Sequence, residues 1–234
     1  MQISNNGSYP LSNEIEVINA ELPLDGATVL ELGCGRAEKT RALAQQDKVA
    51  AIVALEVDTR QHAKNLEAPL AKVTFSHGGA EAIPAADTSF DIVMMFKSLH
   101  HVPMPLMAQA MREINRVLKP GGIAWISEPV YAGEFNEIIR LFHDEKIVRQ
   151  AAFDAVRQAV DDGLFALMKQ RFFATRGHFD SFEQFDQRMI QVTHTDHQLS
   201  PALYEQVRQK FETHLTPDGA VFSNPLRVDV LRKI

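Results

Sequence analysis

The residues best suited to chemistry lie in one short stretch that contains Glu31, Gly33, Cys34 and Gly35. Apolar residues precede Glu31 and a helical pattern begins near Thr40, so the stretch predicts a buried strand, a tight turn and a helix. The glycines let the backbone approach a ligand closely and adopt dihedral angles that side chains disfavour. Backbone N–H groups at the start of a helix suit an anionic group, and Glu31 suits a cationic one. The pattern therefore predicts a site for a zwitterion.

A second acid, Glu56, ends the next predicted strand, about 20 residues beyond the turn, where an acid hydrogen-bonds ribose hydroxyls in α/β sheets. A nicotinamide dinucleotide is the obvious rival ligand. Its G-x-G-x-x-G pattern requires glycine at position 38, where this chain has Glu38. Glu31 and Glu38 together would also repel a pyrophosphate. The pattern favours a ligand that carries both a ribose and a zwitterionic amino acid.

The composition is that of an ordinary globular protein, with 45% hydrophobic and 23% charged residues among 234. A net charge of −6 without a lysine- and arginine-rich cluster argues against nucleic acid as a partner. The single cysteine, Cys34, excludes an internal disulfide framework and fits a reducing compartment. No apolar run approaches the ~20 residues of a membrane helix, and the N-terminus lacks a signal-peptide pattern. We expect a cytoplasmic protein without a membrane partner.

Five motifs occur in order along the first half of the chain. They are the turn after Glu31, Glu56, Gly-Gly-Ala-Glu-Ala-Ile-Pro at 78–84, Phe-Asp-Ile-Val followed by Ser-Leu-His-His-Val at 90–102, and Arg-Val-Leu-Lys-Pro-Gly-Gly at 116–122. With this set, residues 29–128 resemble the class I S-adenosylmethionine-dependent methyltransferases, in the group related to the quinone-biosynthesis C-methyltransferases. The resemblance implies S-adenosylmethionine as cofactor and methyl transfer to a small molecule. It carries no substrate information into residues 132–216.

The resemblance implies an α/β fold: a Rossmann-like, seven-stranded, mostly parallel sheet with one antiparallel strand and a helical cap inserted after strand five. The sequence pattern agrees, because strands and helices alternate until about Tyr131. From Glu134 to about Leu215 the patterns are helical, and only the tail returns to strand alternation. We predict a cofactor-binding core in 1–131, a helical substrate cap in 132–216, and C-terminal strands in 217–234 that complete the core sheet.

The methionine end of this cofactor carries a carboxylate and an ammonium group. We expect the backbone N–H groups of Gly33, Cys34 and Gly35 to bind the carboxylate and Glu31 to bind the ammonium. The resemblance implies that Glu56 holds the ribose hydroxyls.

The resemblance also places an apolar contact, Val57, on the adenine and Phe96 beside the methionine portion. The loop Gly79-Ala80-Glu81 would edge the adenine ring. The family usually has Asp at the position of Gly79, facing the adenine amino group. We therefore expect the Ala80 backbone and Glu81 to replace that contact.

Methyl transfer is an in-line displacement, for which a protein mainly supplies alignment and a dry site. A base is needed only where the acceptor loses a proton. His100 and His101 follow strand four at the ligand-binding edge of such a sheet and are the candidate bases, although this turn also shapes the loop in the family. Glu128, Arg171 and Arg176 are the candidate substrate contacts; Glu128 alternatively caps the neighbouring turn.

Phenylalanines crowd the predicted cap: Phe165, Phe172, Phe173, Phe179, Phe182 and Phe185. At helical spacing they would form its core, with an apolar substrate pocket or a homodimer contact as further interpretations. The alternative function is a non-catalytic binding or regulatory protein that acts through this Phe-rich cap. No metal ligands are assigned: His194, Asp196 and His197 are suitable residue types, but no further cluster supports them and methyl transfer requires no metal.

Overall fold

A mixed β-sheet with helices packed on both faces organises the chain. The computed structural model describes residues 1–192, 195 and 197–234. The sheet order is β3-β2-β1-β4-β5-β8-β6, with the short β7 paired to β8. The strands are β1 (Thr28–Leu32), β2 (Ala51–Glu56), β3 (Val73–His77), β4 (Phe90–Phe96), β5 (Leu118–Pro129), β6 (Phe165–Phe179), β7 (Leu215–Thr216) and β8 (Gly219–Lys233).

The strands β1 to β5 pair in parallel, whereas β8 is antiparallel to both β5 and β6. This confirms the predicted mostly parallel α/β fold class, but the described residues form eight strands and not seven, because the short β7 is added beside β8. The helices are α1 (Glu14–Glu21), α2 (Glu38–Ala44), α3 (Thr59–Leu66), α4 (Met107–Val117), α5 (Glu134–Ile139), α6 (Lys146–Asp161), α7 (Phe182–Phe185) and α8 (Pro201–Glu212). Among the described residues, no helix is both long and apolar enough to span a lipid bilayer.

Side chains that alternate along the strands fill two separate cores. Leu30 and Leu32 of β1 face one side, where they share a core with α4 and α6. Val29 faces the other side and shares a core with Ile18 of α1 and Leu43 of α2. Burial on both faces explains why the central strands are almost uniformly apolar. The packing on both faces also holds the strands in place, and the loops that carry the candidate site begin at the ends of these strands.

The prediction of a helical segment is wrong for residues 165–179, which form β6. Four of the six phenylalanines expected at helical spacing, Phe165, Phe172, Phe173 and Phe179, therefore lie on a strand. A register shift between Leu167 and Lys169 interrupts the pairing with β8, so exposed and buried side chains do not alternate with the period of two. The segment is also rich in Ala, Leu, Met, Lys, Gln and Arg, which favour helices. Pairing with β8 overrides that preference.

The aromatic cluster itself is a core. Phe179, Phe182, Phe185, Phe211 and Phe222 are buried together beneath α5, α7 and α8. Their rings meet mainly edge to face, as in Phe179–Phe211 at 6.0 Å between centroids. The interpretation of these residues as core is thus confirmed for the buried members, while the division into a core and a substrate cap stays a prediction.

The N-terminal segment, expected to be loose, is fastened to β6. Its backbone forms a bridge between Leu11 and Ala174, with the Ala174 N–H donating to Pro10 O at 2.9 Å. The ring of Tyr9 packs edge to face on Phe172, 6.3 Å away between centroids. These contacts cover part of the outer edge of the sheet.

Candidate active site

The glycine turn after β1 adopts the predicted backbone but uses its N–H groups internally. Gly33 and Gly35 have φ angles of +72° and +52°, which favour glycine. The N–H groups of Gly33 and Cys34 both donate to Leu55 O at 2.9 Å. The Gly35 N–H donates to the Glu56 carboxylate at 2.7 Å. The expectation that these N–H groups are free for a ligand carboxylate is therefore wrong, because they tie the turn to the end of β2.

Glu56 is oriented at the end of β2 by two backbone donors. Its Oε2 accepts the Gly35 N–H, and its Oε1 accepts the Asp58 N–H at 2.8 Å. Each carboxylate oxygen can accept a second hydrogen bond. Val57, directly beside it, leaves 58% of its surface exposed. A prearranged carboxylate next to an exposed apolar side chain suits a ribose with its attached base.

Two buried carboxylates near the turn are short of positive charge. Glu31 is buried, and its Oε2 accepts the Thr40 hydroxyl at 2.6 Å. Burial, reinforced by the charge of Glu14, raises the pKa of Glu31 to about 7. Glu14 is also buried; Lys39 pairs with its Oε2 at 3.1 Å, but its Oε1 has no hydrogen-bond partner among the described residues. An ammonium group would satisfy both carboxylates, so these residues fit the amino-acid end of the predicted cofactor.

Cys34 lies between these acids as a buried thiol. Burial first, and then the charges of Glu31 and Glu56, raise its pKa well above the ordinary range. The effect of the two charges on the Cys34 pKa shows that the carboxylates of Glu31 and Glu56 both lie close to the turn. Cys34 is therefore a packing residue of the turn and not a nucleophile.

Glu81 takes the place of the acid that the family usually carries two positions earlier. A side chain at position 79 would begin 2.5 Å from both carboxylate oxygens of Glu81, so that carboxylate folds back over Gly79. Ala80 is buried between them. The loop thus presents a carboxylate near the expected adenine edge. On the methionine side, Phe96 ends β4, and the Lys39 amine lies 5.9 Å from the centre of its ring.

His100 is part of a buried ion-pair network. Its Nδ1 lies 2.5 Å from Glu128 Oε2, and its Nε2 lies 3.5 Å from Glu145 Oε1. Burial alone would lower the pKa of His100, but the two carboxylates raise it to about 9. A protonated ring between two acids does not suit the predicted role of base. Glu128 caps this turn, since its Oε1 accepts the Leu99 N–H at 3.0 Å, and both of its oxygens thus have protein partners; its role as a substrate contact stays a prediction.

A cavity of about 290 Å³ opens beside this network, at the carboxyl ends of β4 and β5. His101 and Lys97 reach it from the loop after β4, and both side chains keep solvent contact. The surrounding wall lowers the pKa of the Lys97 amine by desolvation. Other lining residues are apolar or ionisable: Phe135, Ile139, Phe142, His143, Glu145, Arg149, Arg188 and His197.

The two predicted arginine contacts separate in the structure. Arg171 pairs with Glu21 of α1 on the surface and lines neither cavity, so its role as a substrate contact stays a prediction. Arg176 lines a second cavity of about 500 Å³ together with Glu14 and Lys39. Thr175 lines both cavities, which therefore adjoin. Neither cavity is lined by the glycine turn or by Glu56.

Several residues at the site escaped the sequence analysis. Glu14 and Lys39 lie on α1 and α2, and Glu145 and Arg149 lie in the segment predicted as the cap. Each is an ordinary surface residue type, and only the fold reveals its burial. His194 and Asp196 lie outside the described residues, while His197 lines the first cavity.

Comparison with known proteins identifies the first half of the chain. Residues 30–126 match a family model described as a methyltransferase domain. The methyltransferase GfsG of Streptomyces halstedii is 32% identical over 117 residues, which are 48% of this chain and 41% of that protein. A demethylmenaquinone methyltransferase of Bacillus velezensis is 35% identical over 107 residues, which are 42% of this chain and 43% of that protein.

Similarity to solved structures extends over nearly the whole chain. The YcgJ protein of Bacillus subtilis superposes with a TM-score of 0.65 and 18% identity, covering 94% of this chain and 97% of that one. At this identity the likeness shows the fold. The chain spans about two fifths of the length of the curated relatives it matches, such as 41% of GfsG. Residues 30–126 therefore correspond to a methyltransferase domain, and nearly the whole chain shares the fold of this solved structure.

Proposed function

We propose that this chain transfers a methyl group from S-adenosylmethionine to a small-molecule acceptor bound in the cavity beside His101. The observation that carries the proposal is the set of buried carboxylates Glu14, Glu31 and Glu56 around the glycine turn. One oxygen of Glu14 has no hydrogen-bond partner among the described residues, and burial raises the pKa of Glu31 and so disfavours its ionised form. This charge pattern is complementary to a ligand with an ammonium group and ribose hydroxyls.

S-adenosylmethionine, when bound, supplies an electrophilic methyl group on a sulfonium whose thioether leaves as a neutral group. The chain's residues hold and orient the two reactants. Glu31 and Glu14 would bind the ammonium, Glu56 the ribose hydroxyls and Glu81 the adenine edge. Arg176, which shares the second cavity with Glu14, is the candidate partner of the carboxylate.

The first cavity supports a small acceptor with an apolar body and an anionic group. Phe135, Ile139 and Phe142 supply apolar wall, and Lys97 and Arg188 supply positive charge. His101 is the base when the acceptor must lose a proton, because it reaches the cavity while His100 is held between carboxylates. The lone buried Cys34 supports the expected cytoplasmic compartment.

Calorimetric titration with S-adenosylmethionine and its demethylated product tests the proposal. Glu56→Ala should weaken binding by about 1.5–3 kcal/mol, because hydrogen bonds to a charged acceptor are lost. Glu67→Ala, which removes an exposed acid after α3, is the matched control and should bind as the wild type does. Circular dichroism shows whether each variant is folded. Absence of binding by the wild type, or unchanged binding by folded Glu56→Ala, would contradict the proposal.

Two observations weigh against the alternative of a non-catalytic protein that acts through its Phe-rich cap. The central phenylalanines of that region, Phe179, Phe182 and Phe185, are buried in their own core and present no surface to a partner. The departure at Gly79 is compensated by the Glu81 carboxylate. Both features favour a working cofactor site.

A further inference from the structure

A cluster of metal-ligand types lies at the wall of the first cavity. One potential ligand atom from each of His100, His101 and Glu145 lies within 4.8 Å of the other two. Among the described residues, this is the group in which three such side chains converge. Methyl transfer as proposed above assigns no ion to it, so the cluster calls for a separate explanation.

The ring of His100 is already oriented as in a metal ligand. Its Nδ1 faces Glu128 at 2.5 Å, and Glu128 is fixed in turn by the Leu99 N–H. Metal-binding histidines usually make such a hydrogen bond to a carboxylate through the nitrogen that does not bind the ion. The other nitrogen, Nε2, is thereby aimed toward Glu145.

The separation between those two atoms fits a shared ion better than a hydrogen bond. His100 Nε2 and Glu145 Oε1 are 3.5 Å apart, beyond the common range for N–H···O bonds. Two ligand atoms on one tetrahedral zinc ion, each bound at about 2.0–2.2 Å, lie about 3.3–3.6 Å apart. The two atoms already have the separation that an ion needs, and the ion would replace the proton that His100 carries on Nε2, which is released to solvent.

Glu145 is held so that one oxygen remains directed to the imidazoles. Arg149 binds Oε2 at 2.6 Å and also donates to Asn136 at 2.9 Å. Oε1 faces His100 and, at 3.0 Å, His143 Nε2. The carboxylate therefore has a fixed rotamer before any ion arrives. The ring of His101 lies tilted by 42° against that of His100, with 4.1 Å between ring centres, and His101 is exposed.

We propose that His100, His101 and Glu145 bind a zinc-class divalent cation, with Glu128 orienting His100. Two imidazoles and one carboxylate form a donor set typical of zinc sites that keep one coordination position open. That position would face the cavity, where it could accept an oxygen of water or of a bound molecule. His101 acts as a ligand when the ion is bound, and the role of base proposed above applies to the metal-free protein.

Titration of untagged, chelator-treated full-length protein with Zn²⁺ alone tests the site, and Co²⁺ absorption reports its nitrogen and oxygen ligands. We expect one ion per chain. His101→Ala should weaken binding by at least about 10-fold, and this variant should fold because His101 is exposed. His77→Ala is the matched control. The rings of His77 and His62 lie 6.0 Å apart, so this histidine pair is the other place where Zn²⁺ could bind.

Loss of Zn²⁺ binding in His101→Ala together with retention in His77→Ala supports the site. Absence of stoichiometric binding by folded wild type overturns it, as does loss in His77→Ala with retention in His101→Ala. Glu145→Gln tests a second proposed ligand and should also weaken Zn²⁺ binding, provided that its melting curve shows a folded protein. Cofactor titration is measured separately, so failure of the metal site is distinguishable from failure of the proposed methyl transfer.

Discussion

At the ends of β1 and β2 the carboxylates of Glu31 and Glu56 accept hydrogen bonds from a hydroxyl and from backbone N–H groups. At the end of β5, Glu128 instead pairs with the His100 ring, and nearby Glu145 pairs with Arg149. Both regions lie at the same edge of one sheet and both bury acids. The difference lies in the charge of the partners.

Neutral partners fix a carboxylate in place without cancelling its charge, whereas cationic partners cancel it. The first region therefore retains negative charge for a cationic ligand. In the second region Glu128 fixes the loop after β4. A buried acid at a strand end is thus a binding candidate when its partners are neutral and a structural one when they are charged.

The largest expected effect is at Glu128. Glu128→Gln should destabilise the fold by about 3–5 kcal/mol, because it leaves the buried His100 charge poorly compensated. Glu137→Gln, which breaks an exposed pair with Arg140, is the control and should cost less than about 1 kcal/mol. Urea denaturation at pH 7 measures both. A loss at Glu128 no larger than at Glu137 would contradict the distinction between the two regions.

The same pair gives a pH dependence. The pKa of His100 is raised from 6.5 to about 9, so its contribution to stability is fully present below pH 6.5 and is lost as the pH rises through about 9. Wild type should lose this contribution over that window, and Glu128→Gln should lose less.

Glu31→Gln should have opposite effects on stability and binding. The pKa of Glu31 is raised from 4.5 to about 7, so ionisation destabilises the folded state increasingly as the pH rises from 4.5 to 7. Above pH 7 the variant should be more stable than wild type, by up to about 3 kcal/mol, while it binds S-adenosylmethionine more weakly. Thermal melting across pH and calorimetry measure the two effects. A variant less stable at pH 8 would show that Glu31 is not short of positive charge.

A smaller effect is expected at the adenine edge. Glu81→Ala should weaken cofactor binding by about 1 kcal/mol, since this carboxylate is only partly buried. Adding Gly79→Asp to Glu81→Ala restores an acid at the family position and should recover the loss. If the double variant binds no better than Glu81→Ala, the exchange of position between the two acids is ruled out.

The smallest effect is expected at Arg171. Arg171→Ala breaks a partly exposed pair with Glu21 and should change the free energy of unfolding by less than about 1 kcal/mol. Steady-state kinetics should show no change in KM for the acceptor. A clear rise in KM for the acceptor would indicate that Arg171 contacts the substrate.

The parallel half of the sheet was predictable because burial on both faces leaves continuous apolar strands, as in 29–32 and 90–96. The glycines at 33 and 35 marked the turn because the backbone there requires positive φ. Strand β6 was not predictable, since its register shift removes the period-two signal and its residue types favour a helix.

The residues of the candidate site likewise fall into those that the sequence predicted and those that it did not. Glu31 and Glu56 were predictable because each lies near the end of a recognisable strand, and their neighbours along the chain supply the context. Glu14 and Glu145 gain their burial only from contacts with distant segments, such as the Lys39 pair and the His100 contact. The hydrogen bonds of the turn were missed for the same reason: their acceptors, Leu55 and Glu56, belong to another strand.

The seam between the N-terminal segment and β6 has a consequence for folding. Leu11 is bridged to Ala174, so this contact joins two segments that lie more than half the chain apart in the sequence. Closing so long a loop is slow compared with pairing neighbours. Until it closes, the outermost strand keeps an unprotected flank at which another chain could pair. The contacts of residues 9–12 therefore cover part of the sheet edge at which another chain could pair.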